Sequence, residues 1–284
     1  MMLLRDINLS AGDNSPPELE NRITGSVEQF PVLRITAEGG SDVEEMVARE
    51  LPVTILLNDQ ELVTMLCYPV DLKFLAVGFL ASEGLVRSKG EIRLVTVDDK
   101  RGVVRVTTSA DREVDPGLIF KRIISSGCGR GASFYSVADT SSLKVNSDMN
   151  MAAGDVFTLV NAFQHRSQLY TMTHGIHSAA LCDSKNILVF CEDIGRHNAI
   201  DKIFGRCLLE DIPTENRAIV TSGRITSEIL HKIAKRNIPI IISISAPTNL
   251  GVRIADTLGI TLIASVRGKK MSVYTHRQRV LVQM

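Results

Sequence analysis

The chain has 284 residues, 44% of them hydrophobic, enough for one large or two ordinary domains with a sizeable buried core. Its 32 basic side chains equal its 32 acidic ones, which argues against bulk attraction to nucleic acid or an anionic membrane, so any basic site must be local. The opening MMLLRDINLS is interrupted by charge too soon for a secretory signal, and the longest apolar run, IPIIISISA, is well short of a membrane span. A cytoplasmic protein is expected.

Residues 1–29 carry Ser, Asn, Asp, Gly and Pro16-Pro17 without apolar period and read as a mobile leader. From Phe30 the text is strand-rich: FPVLRITAE, VTILLND, ELVTMLCY, EIRLVTVDD and GVVRVTTSA are short, β-branched and bounded by turn residues. Between them DLKFLAVGFLASEGL reads as one helix, with Asp71 as a possible cap and Gly84 as its stop. Residues 30–125 are thus predicted to form a small β-rich α+β domain.

Residues 126–284 change period. MNMAAGDVFTLVNAFQHRS reads as a helix, with apolar repeats at Met151, Val156, Leu159, Val160 and Phe163, and is followed by strands HSAALCD and NILVFCE. Helix GRHNAIDKIFGRCLLED, strand RAIVTS, helix ITSEILHKIAKRN, strand IPIIISIS, helix TNLGVRIADTL, strand ITLIASV and a last short strand MSVYT come next. This alternation implies an α/β domain with a mainly parallel sheet covered on both faces.

In such a sheet, ligands collect at the carboxyl ends of the strands. The polar clusters fall there: Asp193, Arg196, His197 and Asn198 after ILVF; Ser222, Gly223 and Arg224 after AIV; Ser245, Ala246, Pro247 and Thr248 after IIISI. After LIA come Ser265, Val266, Arg267, Gly268, Lys269 and Lys270. N–H groups at helix starts favour phosphate, small residues let it approach the backbone, and Arg224 and Arg267 offer bidentate contacts. Any one cluster alone reads as caps and turns, but the series points to a phosphorylated or nucleotide-bearing ligand.

His197 lies in the first turn of its helix with Asp201 one turn on, where the carboxylate either fixes the imidazole tautomer or pairs with a neighbouring arginine. THGIHSA adds His174 and His177, which without a carboxylate or thiolate at defined spacing suit hydrogen bonding better than a metal. His165, His231 and His276 read as surface residues. The five cysteines are odd in number with no Cys-x-x-Cys, so neither a disulfide framework nor structural zinc is indicated. Cys67, Cys182, Cys191 and Cys207 sit in apolar runs as buried thiols, whereas Cys128 lies in the Gly-rich loop SSGCGRGASF. That loop would supply access, exposed N–H groups and Arg130 to a reactive thiolate.

The segments DLKFLAVGFLASEGL, SSGCGRG, THGIHSAAL, EDIGRHNAIDKIFG, TSGRITSEIL, SAPTNLGVRIADTLGITLIASVRG and SVYTH together resemble the FdhD family of formate dehydrogenase accessory sulfurtransferases, from about residue 50 to 276. The resemblance implies a three-layer α/β/α C-terminal domain similar to cytidine deaminases, and a homodimer. It further implies transfer of sulfur from a cysteine desulfurase to a molybdenum bis(molybdopterin guanine dinucleotide) cofactor destined for formate dehydrogenase. GDP or GMP would then serve as mimics of that ligand. Cys128 matches the cysteine proposed to hold a persulfide, Ser265–Lys270 falls where the family contacts the guanine-dinucleotide moiety, and His174 and the strand-end groups match cofactor-facing positions. Deaminase zinc chemistry needs a His-x-Glu or Cys-x-Glu and a Cys-x-x-Cys, and neither occurs. Many members have Cys-Gly-x-Cys-Gly, whereas Gly131 stands here in place of the second cysteine, so no relay runs between two loop thiols unless another such as Cys191 approaches. A cofactor-binding chaperone without sulfur chemistry, and a hydrolase pairing Cys128 with His197 or His174, are the competing classes.

Overall fold

The computed structural model of the chain describes residues 25–109 and 143–282, together with the backbone of 123–124 and 132–133. It opens with a long antiparallel hairpin, β1 (Val27–Thr36) and β2 (Gly39–Ala48), in continuous register from Val27↔Ala48 to Thr36↔Gly39. The first strand starts three residues before the expected Phe30, inside the span assigned to the leader. The second is not legible in GGSDVEEMVA, because an exposed ribbon imposes no in-out alternation on its sequence.

A four-stranded sheet follows, β3 (Leu51–Leu57), β4 (Gln60–Cys67), β5 (Ile92–Asp98) and β6 (Val103–Thr108), in the order β4-β3-β6-β5. Helix α1 (Leu72–Glu83) packs on it through Leu75, Phe79 and Leu80, against Val53, Ile55, Val104 and Val106. Gly84, at φ 82, ends α1 as expected, but Asp71 sits at the cap position with φ 60 and no side-chain cap bond. The strand pair β7 (Ile123–Ile124) and β8 (Ala132–Ser133) leads to β9 (Met151–Ala152), α2 (Ala153–Arg166) and a short α3 (Gln168–Thr173).

The C-terminal sheet contains β10 (His177–Cys182), β11 (Ile187–Asp193), β12 (Ala218–Thr221), β13 (Ile240–Ser243), β14 (Thr261–Arg267) and β15 (Lys270–Val273), in the order β11-β10-β12-β13-β14-β15. Helices α4 (Arg196–Leu209), α5 (Ser227–Ala234) and α6 (Asn249–Leu258) connect its strands, and β16 (Val280–Leu281) closes on β9. Only β12, β13 and β14 pair in parallel; β10 is antiparallel to both its neighbours and β15 to β14. The sheet is therefore mixed where a mainly parallel one was expected. The cause is local: the turn at Asp183, whose carboxylate accepts the N–H groups of Lys185 and Asn186 at 2.7 Å each, is too short for anything but an antiparallel hairpin.

Alternation along the strands divides the core into two. Ala179, Leu181, Ile219, Ile241 and Leu262 face α4, α5 and α6; Ala180, Val220, Ile242 and Ile263 face α2. The domain is a three-layer α/β/α sandwich. The two halves of the chain are locked where α1 crosses α4. An added Cβ at Gly205 would lie 1.9 Å from the Phe74 carbonyl oxygen, and one at Gly78 would lie 1.7 Å from that of Asp201. Among the described residues no helix is long and apolar enough to cross a membrane.

Candidate functional site

Because β10 runs against β11 and β12, the carboxyl ends of β11, β12, β13 and β14 all emerge on one edge of the sheet, joined there by the start of β10. The strand-end clusters singled out in the sequence share that edge. A cavity of about 460 Å³ opens there on the α2 side, lined by Ser167, Tyr170, His174, His177, Ser178 and Ser222, with Phe163, Ile194 and Ile244 as apolar walls. Its polar lining is hydroxyl, imidazole and the Gln164 amide, without a carboxylate, lysine or arginine.

His177 is the residue that sequence reasoning undervalued. Its Nδ1 lies 3.1 Å from Ser222 Oγ, which also accepts the Ser178 N–H at 3.0 Å, so the imidazole is fixed at the cavity wall. Burial, and then the charge of Arg196, push its pKa below the ordinary value. His174, exposed and at φ 50, ends α3 and stacks edge-on with Tyr170 at 5.3 Å. The signal was the paired histidines of THGIHSA, the second placed where an edge-facing strand begins.

The loop leading into α4 is built around Asp193. This carboxylate is fully buried, accepts the Gly195 N–H and Asn198 Nδ2–H at 2.9 Å each and the Tyr68 N–H at 3.2 Å, and pairs with Lys202 at 2.7 Å. Asn198 also donates to Leu66 O at 3.0 Å. Asp193 and Asn198 thus fold the loop instead of facing the cavity. Arg196 follows, its stem pressed on Gly223, where a Cβ would come within 2.7 Å of Arg196 Cβ.

His197 stands 3.4 Å from Glu228 Oε2, a partner on α5 that the sequence did not suggest. Asp201 is turned away, bonded to Lys232 at 2.5 Å and to Ser82 Oγ at 2.6 Å. Burial drives the His197 pKa well down, helped by Lys232 and Arg196, and burial raises that of Glu228. Thr248 caps α6 by accepting the Gly251 N–H at 3.1 Å, and Pro247 bridges to Ile225, so in this cluster the cap-and-turn role is realised. Val266 points into the core beneath α2, and Ser245 accepts the Ser265 N–H through its backbone. Arg224, Ala246, Arg267, Gly268, Lys269 and Lys270 are exposed on the same edge, outside the cavity.

Cys67, Cys182, Cys191 and Cys207 are buried as expected. Burial pushes the thiols of Cys67, Cys182 and Cys207 up to about 12, and that of Cys191 higher still. None of the four is a thiolate near neutrality, and Cys191, enclosed beside α4, cannot serve as a second loop thiol. Cys128 and Gly131 lie outside the described residues.

His231, expected at the surface, is buried in α5 at 4% exposure, and burial lowers its pKa to about 4. His177, His197 and His231 therefore stay neutral in the fold at pH values where the unfolded chain takes up protons. Their contribution is complete above about pH 6.5 and is lost as pH falls towards the folded values. Urea midpoints are expected to drop between pH 7 and pH 5, with His231 alone responsible for on the order of 2 kcal/mol. A midpoint that is flat or rising over that interval would contradict the burial of these rings.

The class defined by these features is an α/β protein with a neutral cavity and a basic rim along one strand-end edge. The FdhD/NarQ family model matches residues 48–281, and the chain belongs to the FdhD/NarQ family. It is 43% identical over 235 residues to a sulfur carrier protein FdhD of Bacillus pumilus, covering 82% of this chain and 90% of that one. It is also 41% identical over 257 residues to a sulfur carrier protein FdhD of Listeria innocua, covering 89% and 98%. A crystal structure described as that of a formate dehydrogenase accessory protein from Desulfotalea psychrophila superposes with a TM-score of 0.75 at 28% identity, over 90% of this chain and all of that one.

Proposed function

We propose that the protein is a sulfur carrier in which Cys128 accepts sulfur from a cysteine desulfurase and passes it to a molybdenum bis(molybdopterin guanine dinucleotide) cofactor bound at the strand-end edge, in the service of formate dehydrogenase. The observation that supports it is the state of the other thiols: four of the five cysteines are buried and held protonated, which leaves the reactive role to Cys128. In the loading step the Cys128 thiolate attacks the outer sulfur of the donor's persulfide. The donor's S–S bond breaks, its cysteine leaves as thiolate, and Cys128 becomes the persulfide.

The cofactor is cargo, and the edge suits its parts. A cavity without charged lining takes a neutral heteroaromatic ring, while Arg224, Arg267, Lys269 and Lys270 outside it meet phosphates. His177 and Ser222 hold a hydrogen-bonding wall in place for the ring, and the neutral imidazole keeps a positive charge out of the cavity. Self-association as a homodimer and a cytoplasmic location belong to the same reading.

Gly131, where many relatives of the resemblance have a second cysteine, favours one rival, a chaperone that binds the cofactor without carrying sulfur. One experiment separates them. Incubated with a cysteine desulfurase and cysteine, the wild type is expected to gain the mass of one sulfur atom and Cys128→Ala none, while both bind GDP equally by calorimetry. Sulfur on Cys128→Ala, or none on the wild type, overturns the carrier role. GDP binding without sulfur on either protein selects the chaperone.

A further inference from the structure

Behind the cavity wall stands a carboxylate that the site described above does not use. Along β11 the side chains of Cys191 and Asp193 turn towards α4, and that of Glu192 turns the other way, towards the cavity. The register sets Glu192 opposite Ser178 of β10, and its carbonyl is fixed by Lys202 Nζ at 3.0 Å. Its Oε1 accepts the hydroxyl proton of Ser167 and, across 3.5 Å, that of Ser178. Both serines line the cavity and are buried. A serine hydroxyl has one proton and two lone pairs, and Ser167 Oγ commits one pair to the Tyr170 N–H at 2.8 Å. With their protons directed at Glu192, both hydroxyls offer the cavity lone pairs only. The opposite holds at His177. Ser222 Oγ accepts the Ser178 N–H, and the nearest acceptor for its own proton is His177 Nδ1 at 3.1 Å; the Ser178 carbonyl, at 3.5 Å, already takes the Ser222 N–H at 3.0 Å. The proton of the neutral imidazole then sits on Nε2, as a donor to the cavity.

We propose that Glu192 is a positioning residue that sets which ring the cavity takes: by holding the protons of Ser167 and Ser178 it leaves hydroxyl acceptors beside an imidazole donor, the complement of a 2-amino-4-oxopyrimidine edge. That edge carries adjacent ring N–H and amino donors next to a carbonyl acceptor. Guanine and the pterin ring share it, so both ends of the proposed cargo present the same chemistry. The inference rests on the cofactor-binding reading given above and adds the group that decides selectivity. Hypoxanthine keeps the carbonyl and the ring N–H and loses only the amino donor. Adenine places a ring lone pair where guanine has N–H, against oxygens whose protons point away. The carboxylate also strengthens these acceptors, because a hydroxyl that donates to a charged group is the better acceptor in a site shielded from water. Glu192 does this from outside, and the lining itself stays free of carboxylate.

Calorimetry on the full chain with GDP, IDP, ADP, free pterin and lumazine, the 2-oxo counterpart of pterin, tests this. The wild type is expected to bind GDP roughly tenfold more tightly than IDP and about a hundredfold more tightly than ADP. In the isosteric variant Glu192→Gln the preference for GDP over IDP is expected to fall below about threefold. Ser178→Ala should lower the same ratio while keeping the bond from the Tyr170 N–H to Ser167, and it carries the test if Glu192→Gln does not fold. A merely structural role for Glu192 would weaken every nucleotide alike and leave the ratio untouched, and that result overturns the proposal. So does a wild type that binds GDP and IDP equally. Preference for GDP with free pterin unbound assigns the cavity to the guanine ring. Preference for pterin over lumazine, lost in Glu192→Gln, assigns it to the pterin ring. The two readings fail separately. A chain that binds GDP without preferring it to IDP loses this inference alone, whereas one that binds neither GDP nor pterin loses the cofactor site as well.

Discussion

Replacing Lys202 by methionine is expected to cost about 3–5 kcal/mol of stability, read as a lowered urea midpoint. This lysine is among the largest fully buried side chains of the described residues, and its ammonium is fully engaged: Asp193 at 2.7 Å, the Tyr68 carbonyl at 3.1 Å and the Glu192 carbonyl at 3.0 Å, with the Tyr68 ring centroid at 5.4 Å. Methionine fills much of the volume but leaves the Asp193 carboxylate buried without its counter-charge and takes one donor away from each of two carbonyls. The tie also spans the fold, joining the end of β4 to the loop that carries Ile194, Arg196 and His197. The double variant Asp193→Asn/Lys202→Met should therefore recover part of the loss, with a coupling in the double-mutant cycle above about 1 kcal/mol. A single-variant loss below about 1 kcal/mol, or additive effects, would show that the pair contributes little.

Gly205→Val is expected to be as damaging, at about 3–5 kcal/mol, and to impair folding in the cell. The helices α1 and α4 cross with backbone on backbone at Gly78 and Gly205, and the first obstacle to a side chain is a carbonyl that cannot swing aside. The axes must separate, opening the core between the four-stranded sheet and α4. Gly78→Ala removes the same contact from the other side, so the two substitutions together should cost less than their sum. Gly154→Ala serves as the control: nothing lies within 4 Å of its added Cβ in α2, and the change should be neutral or stabilising by up to about 1 kcal/mol. Similar melting temperatures for Gly205→Val and Gly154→Ala would refute the tight crossing.

Much of the C-terminal half was legible because its signals are local. GRHNAIDKIFGRCLLED, RAIVTS and IPIIISIS declare helix, strand and strand by period and apolar density, and the structure places α4, β12 and β13 within a few residues of those limits. The strand-end clusters could be put on one edge without coordinates, since the rule that loops gather at carboxyl ends needs only the alternation of elements. The four buried cysteines were equally plain from their apolar neighbours.

The misses share a cause, which is that the deciding contact comes from a distant element. His231 looked like a surface residue because ITSEILHKIAKRN is polar on several sides, yet helix α5 buries that side too. Asp201 was read with His197 by helical spacing, but Lys232 and Ser82 reach it first from α5 and α1. Glu228 takes that place beside His197, and nothing in the sequence joins residues 31 positions apart. Asp193 reads as a ligand-facing acid until Lys202 is seen beneath it.

By itself, then, the sequence determined the layers of the α/β domain, the edge on which its polar loops gather, the burial of four thiols and the family likeness. Each follows from residue type and short-range period, which fix whether a segment can be helix, strand or core. Only the tertiary structure decided that the sheet is mixed, and that His177 and Ser222 line the cavity while Asp193 and Asn198 hold its loop. The mixed sheet turns on the short Asp183 hairpin, but the roles of the site residues depend on which buried charge finds its counter-charge and which backbone passes against which, and such long-range pairings leave no period in the chain.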